Sequence, residues 1–389
     1  MNEKIKFPST IVLGSTGSVG EQALSVAEKE NIVIDAVSAN KNYKRVEEQV
    51  RKFSCSSCAM SDEAAAAELK VRIADTDCRV YSGEDGICEM ISDSSAEAAV
   101  NSILGKAGLM PTISTIKSGK RLALANKESL VVAGDIVMPM AKEYGVDVLP
   151  VDSEHCAIYQ CLMSGRREDV KKLILTASGG PFFGKKREEL EKIKLCDALA
   201  HPTWSMGQKI TIDSATMMNK GFEVIEAAHL FGFSADKIDV VVQRESIIHS
   251  MVEYVDNSII AQMSVPDMRF CVQYALTSPL RSAAVIDELD FGKLSSISFA
   301  KPDMDTFVLL KYALAALRMG GAVPCVLNAA NEVAVSAFLC EKISFTDIFD
   351  YVSECVDKMA HYSSAKTLDE ILAADTCARE YMEELISKK

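Results

Sequence analysis

The segment Ser9-Thr10-Ile11-Val12-Leu13-Gly14-Ser15-Thr16-Gly17-Ser18-Val19-Gly20 decides how the first part of this chain is read. Its first half is a short apolar strand and its second half a glycine-rich turn. A helical pattern follows over 21–30 and a second strand over 32–37. A strand that runs through glycines into a helix leaves the helix N-terminus and its unpaired N–H groups at the turn, where they suit a pyrophosphate. The spacing is GxxGxxG and not the stricter GxGxxG, so the bland alternative is a tight turn of an α/β sheet that holds nothing. The end of the second strand bears on which nucleotide would sit there. An acid at that point binds a ribose 2′-hydroxyl. Here stands Ser38-Ala39-Asn40-Lys41-Asn42, with one cation and no acid, and Asp35 falls too early. The pattern favours a 2′-phosphate and hence NADPH, unless Lys41 is only a solvated loop lysine. Candidate cofactor contacts are Thr16, Gly17, Ser18 and Val19 in the first turn and Ala39, Asn40, Lys41 and Asn42 in the second.

Apolar runs and helical patterns keep alternating to about residue 150, as at 98–103 and 121–125. That rhythm predicts a doubly wound parallel sheet over residues 1–150. Ligands gather at the carboxyl ends of such strands, which singles out two turns: Gly105-Lys106-Ala107-Gly108 and Asn126-Lys127-Glu128-Ser129. Lys127 is expected to project toward cofactor and substrate; Glu128 and Ser129 would equally suit a helix cap.

The middle of the chain concentrates carboxylates beside phosphate-binding residue types. Val148-Leu149-Pro150-Val151-Asp152-Ser153-Glu154 reads as extended, which would turn Asp152 and Glu154 to one side. Then comes Asp213-Ser214-Ala215-Thr216-Met217-Met218-Asn219-Lys220-Gly221-Phe222-Glu223. A helix over 216–230 puts Asn219, Lys220 and Glu223 on one face. Three clustered carboxylates need a cation, and oxygen-only ligation favours Mg²⁺ or Mn²⁺ over Zn²⁺. Ser214, Asn219 and Lys220 supply hydroxyl, amide and ammonium, a donor set for phosphate. These residues describe a metal-dependent enzyme acting on a small phosphorylated substrate.

The stretch 178–208 reads as a lid. Glycines and a proline stand beside aromatics at 178–184, and His201-Pro202-Thr203-Trp204-Ser205-Met206-Gly207 holds the only tryptophan. Closing such a loop excludes water; a core role for Trp204 is the alternative. Residues 238–265 alternate as strands around a turn at 255–258, with His249 packed inside one. The catalytic domain is drawn at 151–277, a linker at 278–303, and a helical domain at 304–389 with helices at 307–319, 324–340 and 368–386. His229 and His361 are read as structural, and His155 as the start of a helix.

At 389 residues, two or three domains are expected. A net charge of −13 argues against nucleic acid or an anionic membrane as partner. No apolar run approaches the ~20 residues of a membrane span, and the first residues lead straight into a strand, leaving no room for a targeting peptide. Twelve irregularly spaced cysteines suit a reduced, cytoplasmic protein. Cys55-Ser-Ser-Cys58 has no second pair, so it is read as structural and not as zinc-binding.

Seven segments carry a family resemblance: 14–20 (GSTGSVG), 125–129 (ANKES), 151–155 (VDSEH), 178–182 (SGGPF), 201–207 (HPTWSMG), 213–221 (DSATMMNKG) and 327–332 (LNAANE). In this order they closely resemble the 1-deoxy-D-xylulose 5-phosphate reductoisomerases, across nearly the whole chain. The resemblance implies an NADPH- and metal-dependent rearrangement and reduction of 1-deoxy-D-xylulose 5-phosphate to 2-C-methyl-D-erythritol 4-phosphate, in non-mevalonate isoprenoid synthesis. It implies Asp152, Glu154 and Glu223 as ligands of Mg²⁺ or Mn²⁺, with Co²⁺ as a third choice. Ser178, Ser214, Asn219 and Lys220 would hold the phosphate, and Lys127, Ser153, Glu154 and Glu223 would lie along the substrate. His201, Trp204 and Met206 would close over it, while Asn126, Lys127, Glu128 and Gly207 would add cofactor contacts. Lys127, Glu154 and His201 are the implied catalytic groups, and a homodimer is implied by the family alone. One departure is Asn40, where the family usually carries glycine; asparagine tolerates a left-handed backbone, so the turn is expected to survive. Rival readings are an NADPH-dependent dehydrogenase of a phosphorylated semialdehyde, which would need a nucleophilic cysteine, and a non-catalytic NADPH sensor.

Overall fold

In the computed structural model, which describes residues 7–200, 204 and 206–388, Thr10–Leu13 (β1) is buried along its whole length. A parallel strand covered on both faces needs apolar residues throughout, which is why this run does not alternate. β2 (Ile34–Ala39) and β5 (Ala98–Asn101) flank it, both parallel. β3 (Ser57–Met60) and β4 (Arg79–Ser82) extend one side, β6 (Arg121–Leu124) and β7 (Val148–Pro150) the other. The order β4-β3-β2-β1-β5-β6-β7 reverses direction between β1 and β5. The crevice at the carboxyl ends of these two strands is where a doubly wound sheet takes its ligand.

Two glycines shape that crevice. Gly14 has φ +74° and lies so close to β5 that a Cβ would stand 2.9 Å from the Ser102 backbone. A Cβ on Gly20 would stand 2.3 Å from the carbonyl oxygen of Gly14. The helix Ser18–Glu30 therefore starts tight against the loop, with Gly17 as its extended N-cap.

The chain folds into two compact units. The first comprises the chain up to Ser129, Val137–Cys156 and Asp267–Asp287. Residues 267–277, read as the end of the catalytic domain, and 278–287, read as linker, thus pack with the parallel sheet. The helix Met268–Thr277, not anticipated from the sequence, lies against the helix Ser18–Glu30 and the ends of β6 and β7.

The second unit comprises Leu130–Ile136, Ala157–Pro266 and the chain from Glu288. Its sheet runs β11-β10-β8-β9, with β8 (Val170–Ala177) parallel to β9 (Ile238–Val242) and antiparallel to β10 (Ile248–Tyr254). β11 (Ile259–Met263) returns antiparallel to β10 through the expected turn, where Asn257 takes φ 66°. Four helices close the chain: Val308–Met319, Val323–Leu339, Phe345–Lys358 and Leu368–Ser387. The third was not read from the sequence, although Ser344 and Asp347 cap each other reciprocally at its start. Edge-to-face contacts of Phe345 with Phe182, Phe338 and Phe349 join these helices to the residue-182 loop. The fold class is thus an N-terminal Rossmann-like domain, a central α+β domain and a C-terminal helical domain.

All twelve cysteines are free. Burial pushes the Cys55 thiol up to about 12, so the one Cys-x-x-Cys pair carries no reactive thiolate at that position. No described helix is long and apolar enough to cross a membrane.

Candidate active site

The strand expected over 148–154 ends at Pro150, and the helix Ser153–Leu162 begins three residues later. Asp152 is the reason. Its Oδ1 accepts hydrogen bonds from the backbone N–H groups of Glu154 (3.1 Å) and His155 (3.4 Å), as an N-cap carboxylate does. Asp152 and Glu154 are neighbours through a helix start, not through strand alternation, and each offers an oxygen within 4.8 Å of the other.

Asp152 is more heavily engaged than its sequence context suggested. Lys127 Nζ donates to Oδ2 at 2.8 Å, and both side chains are nine-tenths buried. The fully buried His155 ring places Nδ1 2.9 Å from Oδ1. His155, read only as the start of a helix, therefore orients the carboxylate. Ser153 Oγ donates to Glu154 Oε2 at 2.5 Å. Lys127 stands where the sequence put it, at the exit of β6. Beside it, buried Asn126 spends its amide on the carbonyls of Ile103 and Gly105, while its Oδ1 accepts from Ser129 N. Asn126 ties the β5 and β6 exits together, and Glu128 opens the helix Glu128–Glu143.

Thr16, Gly17, Ser18 and Val19 line the turn at the crevice. Ala39, Asn40, Lys41 and Asn42 form the exit of β2, where the Asn42 side chain caps the next helix by accepting from Arg45 N. Lys41 is 77% exposed, 3.8 Å from Asp62. Asn40 does not use the left-handed backbone for which it was thought tolerated. Its side chain instead accepts from Ser61 Oγ at 3.0 Å, so it bridges the β2 and β3 exits.

In the second unit, the expected helix is present as Met218–Phe231. It is preceded by a separate helix, Gln208–Ala215, and Met217 turns the corner between them with φ 64°. Glu223 is buried, with Lys220 Nζ on one oxygen and Asn219 Nδ2 at 2.5 Å on the other. Gly180, two residues after Ser178, packs against the backbone of Ser214, where a Cβ would stand 2.7 Å from the Ser214 carbonyl oxygen.

Arg244, which no sequence pattern singled out, holds this loop in place. Its guanidinium donates to the carbonyls of Ser178 (3.0 Å) and Gly180 (2.9 Å) and stacks on Phe183. Trp204 packs edge-on to His249, ring centroids 6.3 Å apart, and Met206 is half-buried. Gly207 is the N-cap of the helix Gln208–Ala215. His201 lies outside the described residues.

A dinucleotide-type crevice, a lysine-paired carboxylate at the sheet exit and a buried Lys–Glu–Asn face define an α/β oxidoreductase for a phosphorylated substrate. Family models for 1-deoxy-D-xylulose 5-phosphate reductoisomerase match residues 10–134, and models for its C-terminal domains match 148–231 and 263–381. A reductoisomerase of Clostridium botulinum (strain Loch Maree / Type A3) is 49% identical over 375 residues, 95% of this chain and 97% of that one. One of Agathobacter rectalis is 48% identical over 372 residues, 95% and 98%. A crystal structure of the enzyme with NADPH, fosmidomycin and magnesium superposes with a TM-score of 0.93 at 40% identity, covering 98% of both chains. That of Zymomonas mobilis with NADPH gives 0.90 at 40% identity, covering 97% of this chain and 99% of that one. The chain belongs to the 1-deoxy-D-xylulose 5-phosphate reductoisomerase family.

Proposed function

We propose that this chain rearranges 1-deoxy-D-xylulose 5-phosphate and reduces it with NADPH to 2-C-methyl-D-erythritol 4-phosphate, with a divalent ion bound. One observation carries the reading: the near full-length match to reductoisomerases runs through both units. Asp152 and Glu154 of the first unit and Glu223 of the second are the proposed metal ligands. Their all-oxygen donor set fits Mg²⁺ or Mn²⁺, with Co²⁺ as a third candidate. When bound, the ion acts as a Lewis acid on the substrate's carbonyl and hydroxyl oxygens and orients them.

The chain's own groups do the rest. Ser178, Ser214, Asn219 and Lys220 bind the phosphate, whose binding energy positions the reacting end. Ser153 and Glu154 contact the carbon chain, and Lys127, held by Asp152, supplies a fixed ammonium beside it. Lys127, Glu154 and His201 are the groups proposed to act in catalysis. His201, Trp204 and Met206 are the groups proposed to keep water from the substrate. Thr16–Val19 and Ala39–Asn42 would hold NADPH, with Lys41 for its 2′-phosphate, and Asn126, Lys127, Glu128 and Gly207 are proposed as further contacts. The protein is placed in the cytoplasm and acts as a homodimer.

The test is NADPH absorbance with 1-deoxy-D-xylulose 5-phosphate and Mn²⁺, comparing wild type with Glu223→Gln, and NADH as a control. Metal-dependent oxidation is expected to fall by about a hundredfold or more in the variant and to stop in chelator. Oxidation that survives both would remove the metal site and leave the nucleotide reading. No oxidation despite measured NADPH binding would make the chain a sensor.

A further inference from the structure

The segment Leu327-Asn328-Ala329-Ala330-Asn331-Glu332 has no part in the site described so far. It lies in the helix Val323–Leu339, with both asparagines fully buried. Asn331 Nδ2 donates to Asp213 Oδ1 at 2.7 Å, across 118 residues of sequence. Lys209 Nζ lies 3.0 Å from the other oxygen, Oδ2, of the same buried carboxylate. Asp213 is thus held on one side by its own helix and on the other by the C-terminal helices. The grip falls one residue before Ser214 and just ahead of the Met217 corner that sets the next helix, with Asn219 and Lys220 on it.

Asn331 makes this contact at a cost. Its Oδ1 is buried and takes no hydrogen bond among the described residues. An apolar side chain there would bury no unpaired amide oxygen, but it would give Asp213 no donor. Packing alone therefore does not account for an amide here; the carboxylate of Asp213 does. The helix that presents it is itself braced. Asn328 Nδ2 donates to Glu332 Oε1 (3.2 Å), and Arg379 of the last helix donates to Glu332 Oε2 (2.6 Å) and to Asp375 (2.9 Å).

We infer that Asn331 is a positioning residue for the phosphate end of the site, acting through Asp213 on Ser214. The inference rests on the reading of Ser214 as a phosphate ligand. It assigns the C-terminal helical domain a role in substrate binding without contact to substrate. Gly180 packs against the Ser214 carbonyl, so a displaced Ser214 also disturbs the loop that carries Ser178.

The test is steady-state kinetics on the full-length enzyme for Asn331→Leu, Ser214→Ala and the double variant, with the NADPH dissociation constant from fluorescence as a control. Asn331→Leu is expected to raise KM for 1-deoxy-D-xylulose 5-phosphate about tenfold, leaving kcat within about threefold and NADPH affinity unchanged. The double variant is expected to show no larger KM than Ser214→Ala, because both changes act on one contact. Asn331→Asp, nearly equal in volume, replaces the donating amide with a second carboxylate; it is expected to raise KM likewise and stands in should the leucine variant not fold. Unchanged KM in Asn331→Leu or Asn331→Asp, beside a raised KM in Ser214→Ala, would overturn the inference alone. Additive effects in the double variant would do the same. Unchanged KM in Ser214→Ala would remove the phosphate reading of Ser214, and the inference with it.

Discussion

Gly180 packs without slack against the Ser214 backbone. Its φ of +64° is a conformation that an L side chain adopts only under strain, and the Ser214 carbonyl occupies the space a Cβ would need. Gly180→Ala is expected to lower kcat/KM for the substrate about tenfold or more while NADPH binding, measured by fluorescence, stays unchanged. Equal kinetics would mean that the loop is not in the site. His229 is a second tight contact, with its ring against Gly134. Burial lowers its pKa below the usual 6.5, opposed by Asp135. The folded value lies below the unfolded one, so the stabilisation is complete above about pH 6.5 and is lost as pH falls through the folded value. Between about pH 7 and 5, the urea midpoint of wild type is expected to drop faster than that of His229→Gln; parallel slopes would mean that the ring titrates normally. Asn219, Lys220 and Glu223 were legible in the sequence because one helical period joins them. Arg244 and Asn331 were not, because their partners lie 64–66 and 118 residues away and no local spacing reports a tertiary contact.

Elements were read well where periodicity was long and poorly where a cap decided. The strand–turn–helix start emerged as expected, whereas Asp152 ended an apparent strand early by capping the following helix. The segment carrying Lys186 and the one carrying Asp303 are tied by another such end. Asp303 accepts from Thr306 N (3.0 Å) and Thr306 Oγ1 (2.9 Å), and Lys186 Nζ reaches it at 2.8 Å. The lysine, then the Thr306 backbone N–H, hold its carboxyl at about 2. A carboxyl depressed in the folded state stabilises above its unfolded pKa of 3.8 and ceases to do so as pH falls through about 2. Asp303→Asn is expected to lower the urea midpoint at neutral pH, and the gap to wild type to shrink steadily below about pH 4. A gap that persists into that acid range would show that the contribution is not ionic.

At the scale of the molecule, β11 is an edge strand whose Ile259 and Ile260 are 51% and 37% exposed. Such an edge invites pairing, and a second copy would cover it with a two-fold interface. Light scattering is expected to give twice the mass of one chain for wild type and a single-chain mass for Ile260→Lys at micromolar concentration. A dimeric variant would move the interface elsewhere, and a monomeric wild type would remove it. The order of the segments has another consequence. Because Met268–Thr277 packs on the helix that follows the glycine loop, residues 1–150 are not a self-sufficient cassette. Grafting them from a relative would bring a foreign surface against a resident helix encoded more than a hundred residues downstream. A graft that keeps this surface intact therefore has to carry the downstream helix with it.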